Sequence, residues 1–190
     1  MDRLPERIDC PRLVLRRWRP DEAELLGEAV AASLEHLRPW MAWAHLEPIG
    51  LDERRAMLET WQAEWERGGD AGYGAFLGDT VVGGCGLHRR GAADVLHIGY
   101  WIHADHVRRG YARELAAGLT TAAFEVPGIR QVRIHHASRN ERSRAVPAAL
   151  GFTFEGELAE RPEHPEVDDV VVGWYVDAGD WPDRLAEAGG

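Results

Sequence analysis

The sequence predicts an α/β (α+β) fold built on a twisted, mixed and mostly antiparallel sheet with a splayed central parallel pair, flanked by helices. Two strand-like runs meet at Gly78-Asp79, a typical hairpin turn, and a third strand continues the meander. A helix then joins this third strand to another one, and such a crossover implies that the two strands are parallel. Two further strands follow near the end of the chain.

Apolar spacing predicts the elements of the first part of the chain. Residues 12–19 alternate well enough for a first strand. A helix begins at Pro20-Asp21, with Asp21 as its cap or as a first-turn acid. Residues 34–45 are rich in aromatic side chains and predict a loop or a short helix, and a second helix runs roughly over 51–67.

Turn residues separate the elements that follow. The meander has its second turn at 89–94. Small residues recur on one face of the helix after the meander, which predicts close packing on a sheet. Gly151 ends a later short helix as its C′ residue. The predicted elements are strands at 73–77, 81–87 and 95–102, a helix from Ala112, a strand at 129–137, a helix at 140–150, and strands at 152–156 and 170–176.

Length and composition limit the class of protein. A chain of 190 residues predicts one domain. The formal net charge of −10 argues against a protein that coats nucleic acid or binds anionic membranes. The same acidic balance can steer a cationic amine towards the protein, with plain solubility as the alternative. No apolar leader and no run of membrane-spanning length is found, so no membrane association is expected.

Cysteine and histidine usage favours a reducing cytoplasm and no metal site. Cys10 and Cys85 form neither a disulfide framework nor a Cys-x-x-Cys pair. None of the nine histidines falls in an HExxH-like spacing. His135 and His136 are adjacent on a predicted strand, so they point to opposite faces and cannot chelate one ion together.

Residues 106–115 link a predicted strand to a predicted helix and carry a basic pair followed by a glycine. Backbone N–H groups at a helix N-terminus can hold a pyrophosphate. Arg108 and Arg109 add full charges, and Gly110 lets the backbone approach the phosphates. This run therefore predicts a phosphate-bearing cofactor. The alternative is an ordinary strand–turn–helix joint that binds nothing.

The predicted parallel pair offers a second cofactor feature. Parallel neighbours that are bonded along their whole length leave no gap between them. If their ends splay apart, a cleft opens and exposes backbone donors and acceptors. Such a cleft suits a long, thin, amide-bearing cofactor.

The order and spacing of several short segments, rather than any one of them, indicate a family. The segments are PRLVLR at 11–16, LRPWMAW at 37–43, IGYWI at 98–102, RRGYA at 108–112, NERSRAVP at 140–147, LGF at 150–152 with EG at 155–156, and DVVV at 169–172 ahead of Trp181. In this order they resemble the GNAT superfamily of acyl-CoA-dependent N-acetyltransferases. More narrowly, they are similar to the RimJ/RimL-like branch of ribosomal-protein N-terminal acetyltransferases and its antibiotic- and small-amine-modifying relatives. The resemblance covers about residues 11–181 and implies one acetyltransferase domain over 1–190.

The resemblance implies acetyl-CoA as co-substrate, no metal, and direct attack of an amine on the thioester without an acyl-enzyme. Backbone groups at 101–103 would position the thioester and polarise its carbonyl, because oriented donors stabilise a developing oxyanion. Val107 departs from the family pattern, which has Gln or Arg at that position. The residues that the resemblance assigns to acetyl-CoA are Trp101, Ile102, His103, Val107, Arg108, Arg109, Gly110, Tyr111, Ala112, Arg113, Asn140 and Ser143.

Three residues are the catalytic candidates that the resemblance implies. Ser143 would give a proton or hydrogen bond to the leaving thiolate. Asn140 could contact the pantetheine or a water, with a simple helix cap as the alternative. His135 is the first candidate for the base, because some relatives carry a glutamate base on this strand, and His97 is the second. For each histidine the alternative is a packed or surface side chain.

Acceptor recognition is expected at Trp40, Trp43 and His97, with the Trp61 region beside them. Aromatic walls with acidic neighbours suit a cationic amine. The alternative is that the tryptophans belong to the core and the acids are solvated, and helical spacing favours core positions for Trp61 and Trp65. The acidic neighbours are expected in a loop at 159–168, as Glu160, Glu163, Glu166 and Asp168.

The leading hypothesis is an enzyme that acetylates a primary amine, either a protein or peptide N-terminus or a small antibiotic-like or polyamine acceptor. A non-catalytic acyl-CoA sensor is the second hypothesis. A Rossmann-type nucleotide-binding module is disfavoured, because the glycine spacing differs and the loop follows a meander. Exposed edge strands and tryptophans are compatible with a homodimer, and the expected location is the cytoplasm.

Overall fold

The computed structural model describes residues 2–159 and 170–183. Strands and helices alternate through these residues much as the sequence predicts. The helices are α1 Ala23–Ala31, α2 Leu34–Leu37, α3 Leu51–Glu66, α4 Tyr111–Phe124 and α5 Glu141–Ala149. The strands are β1 Arg7–Asp9, β2 Val14–Arg17, β3 Ala71–Leu77, β4 Thr80–His88, β5 Val95–Ile102, β6 Gln131–Ala137, β7 Thr153–Glu157 and β8 Val171–Asp177.

The strands form one sheet in which, within the described residues, a single neighbouring pair is parallel. The order is β1-β2-β3-β4-β5-β6-β8-β7, and the parallel pair is β5 with β6. The predicted mixed sheet is confirmed, with β5 at its predicted bounds. The sequence did not predict β1, which pairs with β2 through Ile8 and Leu15. A strand of three residues is too short to show a period of two.

The parallel pair is closed at one end and open at the other. Its register begins at Val95 and stops where Ile98 lies opposite Ile134, although both strands continue. β5 stays paired with β4 as far as Ile102, and β6 stays paired with β8 as far as Ala137. Each strand therefore follows its outer neighbour, and the sheet divides into a wedge. We call this wedge the splay, and its presence confirms the prediction.

Two apolar cores hold the walls of the splay. α4 packs on one face of β4, β5 and β6, with Leu115 and Leu119 fully buried, as the small-residue face predicts. Gly118 allows this approach, because a Cβ at that position would lie 2.5 Å from the Cys10 sulfur. The second core lies around Trp18 and Phe76, with side chains of α1 and α3.

The two tryptophans of α3 have different surroundings. Trp65 packs against the main core, and its indole N–H donates to the Leu4 carbonyl at 2.7 Å. Trp61 is 39% exposed, so the core position predicted for it is wrong. Its ring lies over Gly72 on the surface of the sheet, where the helix leaves room for a cleft. None of the described helices is long and apolar enough to cross a membrane.

Candidate active site

A cleft of about 970 Å³ includes the open end of the splay and extends to the segment between α2 and α3. Backbone of both diverging strands lines it, together with side chains from distant parts of the chain. Tyr100 and His97 are three residues apart on β5, so they lie on opposite faces of the sheet and the splay connects those faces. The predicted site residues that line this cleft are Trp40, Trp43, His97, Trp101, His135, Asn140 and Ser143.

A pair of hydroxyl groups marks the α5 side of the splay. The Ser143 Oγ and the Tyr100 hydroxyl lie 3.0 Å apart and share a hydrogen bond. Burial raises the pKa of Tyr100 to about 12, although the hydrogen bond with Ser143 acts in the opposite direction, so Tyr100 keeps its proton. The sequence prediction gave Tyr100 no role. Its partner is 43 residues away, and no local pattern could reveal the contact.

Asn140 is the N-cap of α5. Its Oδ1 accepts a hydrogen bond from the Ser143 backbone N–H at 3.1 Å. The cap satisfies one of the free donors at the helix start and fixes the turn that carries the Ser143 hydroxyl. Because Asn140 also lines the cleft, the predicted contact with pantetheine or water stays a prediction.

The loop between β5 and α4 has a backbone suited to an anion. Arg108 and Gly110 have φ values of 60° and 79°, which flank Arg109 with two left-handed residues. Gly110 is the N-cap of α4, so the N–H groups of the first turn have no acceptor within the helix. Arg12 supports the loop by donating to the Arg109 carbonyl at 3.1 Å and to Glu114 at 2.6 Å.

Several predicted cofactor residues near this loop are buried or partly buried and could offer backbone rather than side-chain contacts. Tyr111 is 7% exposed and belongs to the main core, as does Ile102. Val107 packs against the same core. The His103 Nδ1 accepts from the Asp105 backbone N–H at 3.2 Å. The exposed positive charges of the region are Arg108, Arg109 and Arg113.

The histidines of β6 point to opposite faces, as predicted. The His135 ring meets the His97 ring edge to face, with centroids 4.6 Å apart. The buried His136 accepts from the Trp174 indole N–H and donates to the Ala137 carbonyl. Burial, the largest effect, lowers the pKa of His136, so it is a neutral structural group. Among the described residues, no cluster of three or more His, Cys, Asp or Glu could hold a metal ion.

A further histidine, His88 at the end of β4, makes a side-chain contact with Asp70 that the sequence prediction missed. Its Nδ1 lies 2.8 Å from Oδ2 of Asp70, and the other Asp70 oxygen accepts from the Arg89 backbone N–H at 2.7 Å. Burial alone would raise the pKa of Asp70. The hydrogen bonds from His88 and Arg89, with nearby positive charge, outweigh burial and lower it. Both Asp70 and His88 line the cleft.

Aromatic side chains form the outer wall of the cleft. The Trp43 and Trp101 rings pack with centroids 6.3 Å apart, and Trp40 and Trp61 line the same space. The predicted acidic loop is only partly described, and Glu160, Glu163, Glu166 and Asp168 lie outside the described residues. The acids that line the cleft come from elsewhere, as Glu47, Glu53, Glu64 and Asp70.

One buried ion pair fixes the aromatic segment to α3. Arg54 donates to both carboxylate oxygens of Glu47, at 3.0 and 2.6 Å, and both side chains are almost fully buried. Glu47 also accepts from the Ile49 backbone N–H at 3.0 Å. The charge of Glu47 is therefore compensated. Glu64 is likewise paired with Arg67 at 2.6 Å, and Asp70 accepts from His88 and Arg89. Among the described residues, Glu53 is the cleft carboxylate that has no such partner.

The cysteines lack the environment of a nucleophile. Burial, with the negative charges of Glu114 and Asp9, raises the pKa of Cys10 to about 11. Cys85 lines the cleft but is buried, and burial raises its pKa further. Both are thiols rather than thiolates at neutral pH.

A family model matches most of the chain. Residues 12–153 match the acetyltransferase (GNAT) domain. One relative carries the name "Putative ribosomal N-acetyltransferase YdaF", from Bacillus subtilis (strain 168). It is 28% identical over 145 residues, which cover 76% of this chain and 79% of the relative.

Solved structures share the fold. A crystal structure named "Probable acetyltransferase" superposes with a TM-score of 0.83 at 25% identity, covering 90% of this chain and 96% of the other. Mycobacterium smegmatis RimJ, solved in complex with CoA-disulfide, superposes with a TM-score of 0.80 at 23% identity. That match covers 96% of this chain and 93% of RimJ.

Proposed function

We propose, since the chain belongs to the GNAT acetyltransferase family, that this acyltransferase moves an acetyl group from acetyl-CoA directly to a primary amine. The observation that carries the proposal is the splay, which joins a hydroxyl pair on one face of the sheet to histidines on the other. An amine and a thioester that approach from opposite faces would meet at the free edge of β5. The single catalytic domain over residues 1–190 belongs to the same proposal.

Two features of the chain support acetyl-CoA as the donor. The open edges of β5 and β6 after Ile98 offer backbone groups to the amides of a pantetheine. The left-handed residues Arg108 and Gly110, with exposed arginines at the start of α4, offer donors and charge to a pyrophosphate. When bound, acetyl-CoA supplies a thioester whose acetyl carbon accepts the amine and whose sulfur leaves. Asn140 and Ser143 would contact its pantetheine end.

The proposed role of Ser143 is to protonate or hydrogen-bond the leaving sulfur. Its hydroxyl is held by Tyr100, and either hydroxyl can donate in this contact. When Tyr100 donates to the Ser143 Oγ rather than to the Ser143 carbonyl, the serine proton can be directed at the sulfur. Tyr100 keeps its own proton at neutral pH because of its burial. Backbone N–H groups of residues 101–103 would polarise the thioester carbonyl.

The proton of the acceptor amine would go to a histidine on the opposite face. His135 and His97 are the candidates that the sequence predicts, and their rings are in contact within the cleft.

The proposed acceptor is a cationic amine, with a protein or peptide N-terminus first. The name of the YdaF relative as a ribosomal N-acetyltransferase supports this choice. Aromatic rings beside Glu53 would attract a cation. An α-amine needs little help to deprotonate, since its ordinary pKa is about 7.7–8.0. A small polyamine or antibiotic-like amine would use the same wall.

A thiol-release assay with acetyl-CoA tests the proposal. The panel contains peptides with Ser, Ala or Thr at the N-terminus, polyamines and cationic antibiotics. We expect turnover on the peptides, and mass spectrometry should place the acetyl group on the α-amine. Turnover on polyamines or antibiotics alone would transfer the function to small amines. Silence on every amine, with acetyl-CoA still raising the melting temperature, would indicate an acyl-CoA sensor and contradict the proposal.

A further inference from the structure

We propose that His88, oriented by Asp70, is the catalytic base that takes the proton from the acceptor amine. This inference rests on the proposed function and assigns one of its steps to a pair of residues outside the sequence prediction. Its basis is the place of the His88 ring, directly beside the point where β5 leaves β6.

Asp70 fixes which nitrogen of His88 is available. A carboxylate only accepts, so the 2.8 Å contact requires the proton of the neutral ring to be on Nδ1. Nε2 then carries the lone pair that a base needs. The second hydrogen bond to Asp70, from the Arg89 backbone N–H at 2.7 Å, fixes the carboxylate itself. Asp70 is therefore a positioning residue that also stabilises the imidazolium after proton transfer.

Two glycines make room for Nε2 at the splay. Gly86 of β4 lies opposite Gly99 of β5, and a Cβ at these positions would lie 2.7 Å and 3.3 Å from Nε2. Gly99 is the first residue of β5 beyond the paired region that ends at Ile98. The Nε2 atom of His88 therefore lies over Gly86 and Gly99, beside the start of the free edge where the amine and thioester would meet. The His88 side chain is 29% exposed, so an amine in the cleft can reach it.

The charged and titratable groups around His88 come from several elements of the fold. His97 lies opposite it on β5, and His135 follows on β6, while Arg89 and Arg90 come next along the chain. Arg90 acts on Asp70 by its charge, and Glu64 of α3 lines the same cleft. Of these groups, Asp70 is the acid that touches the ring.

The step balances as follows. Nε2 takes one proton from the acceptor ammonium and later releases it to water. The neutral amine forms the N–C bond to the acetyl carbon as the C–S bond breaks. After the N–C bond has formed, the nitrogen loses a second proton. The leaving sulfur gains one proton, directly or through Ser143. The products are the N-acetyl amine, CoA thiol and one free proton.

The test measures kcat/KM against pH for His88→Gln, with His36→Gln as the matched control because His36 does not line the cleft. We expect kcat of His88→Gln to fall about 100-fold at neutral pH. The acid limb, which is the fall of kcat/KM at acidic pH that is due to an enzyme group rather than to the acceptor, should also disappear in this variant. Asp70→Asn should keep that limb but move it to lower pH, since the imidazolium loses its carboxylate. The titration of the acceptor is common to every variant.

A second variant separates chemistry from folding. His88→Ala leaves a partly exposed space over Gly86 and Gly99. If this variant lacks only the base, added 4-methylimidazole should raise its rate by at least about 10-fold. Acetyl-CoA binding by calorimetry should be unchanged in each variant. A raised KM with unchanged kcat in His88→Gln, or loss of the limb in His135→Gln instead, would overturn the inference. Wild-type protein without turnover on any amine would overturn the proposed function first and this inference with it.

Discussion

The Ser143 hydroxyl is the group whose removal should cost activity without disturbing the fold. Ser143→Ala keeps the backbone N–H that Asn140 caps, so α5 stays formed. We expect kcat to fall about 100-fold with little change in acetyl-CoA affinity, because a proton donor acts mainly in the transition state. Tyr100→Phe should lose less, since it removes the partner of the hydroxyl and not the hydroxyl itself.

Steady-state kinetics with isothermal calorimetry for acetyl-CoA checks this pair of variants. A donor with a more acidic thiol leaving group needs less protonation, so it should recover part of the Ser143→Ala loss. If the loss is the same for both donors, Ser143 positions the pantetheine and does not assist departure of the sulfur.

Glu22 is a residue through which the stability of the fold should depend on acidic pH. Burial alone would raise its pKa, but hydrogen bonds and charge from Arg16 and Arg19 outweigh burial and lower it below 4.5. A carboxylate with a lowered pKa in the folded state adds stability above its ordinary pKa. That stability is lost as the pH falls through the folded-state value.

Glu22→Gln should therefore lower the free energy of unfolding by about 2 kcal/mol at pH 7. The difference from wild type should shrink as the pH falls from 4.5 through the lower folded-state pKa, because Glu22 is protonated in the folded protein only below that value. Urea unfolding at several pH values measures this, with the exposed Glu24→Gln as control. A difference that stays constant with pH would assign the effect of Glu22 to packing.

Contacts between distant residues explain which site residues the sequence could reveal. Ser143 and Asn140 are predictable because the cap and the hydroxyl belong to one turn of α5. His88 and Asp70 come together only when β3 and β4 pair, and nothing in the local sequence marks a histidine that needs a carboxylate 18 residues away. One feature of the sequence could have indicated this contact. Gly86 lies two residues before His88 on the same face of β4, and a strand glycine can mark a place where another group packs closely on the sheet.

At the scale of elements, we expect the loop before α4 to bind the pyrophosphate of the cofactor and not its pantetheine. Arg108 and Arg109 are exposed and follow a strand that ends in the splay. Replacing both with Ala should raise KM for acetyl-CoA about 10-fold or more, since each charged hydrogen bond to a phosphate contributes about 1.5–3 kcal/mol. S-acetylpantetheine lacks the pyrophosphate and should show no such change.

Comparison of the two donors is the measurement, and Arg55→Ala on the exposed side of α3 is the control. Added salt should weaken acetyl-CoA binding in wild type more than in the double variant. An equal loss with S-acetylpantetheine would show that the arginines support the loop backbone instead of binding phosphate. Arg109 could do so, since its guanidinium donates to the Asp105 carbonyl at 3.0 Å.

Helices and strands are easier to predict from the sequence than the exposure of the side chains they carry. The meander, α4 and β6 follow from alternation and helical spacing, and Gly151 has the left-handed φ of 71° that a C′ glycine predicts. The helical stripe that contains Trp61 and Trp65 correctly predicts α3. It cannot tell which end of the stripe meets the core and which meets a cleft, because that depends on the sheet surface beneath it.

At the scale of the whole molecule, the sheet consists of two parts that share a short parallel seam. One part contains β1 to β5, the other β6 to β8, and the seam ends where Ile98 meets Ile134. The open edges beyond the seam have no sheet neighbour within the described residues. A ligand with amide groups that lies between them would take the place of the missing hydrogen bonds and hold the two parts together.

Binding of CoA should therefore stabilise the molecule at the splay before it does so elsewhere. At a CoA concentration of 100 times Kd, linkage adds about 2.7 kcal/mol to the free energy of unfolding. Hydrogen exchange should slow most at residues 99–102 and 135–137, because those backbone groups gain partners. The β1–β2 hairpin lies at the far edge of the sheet and should show only the global change. Slower exchange at β1 and β2 without any at the splay would place the ligand against the groove between β1 and α4, and the donor site proposed for β5 and β6 would then be wrong.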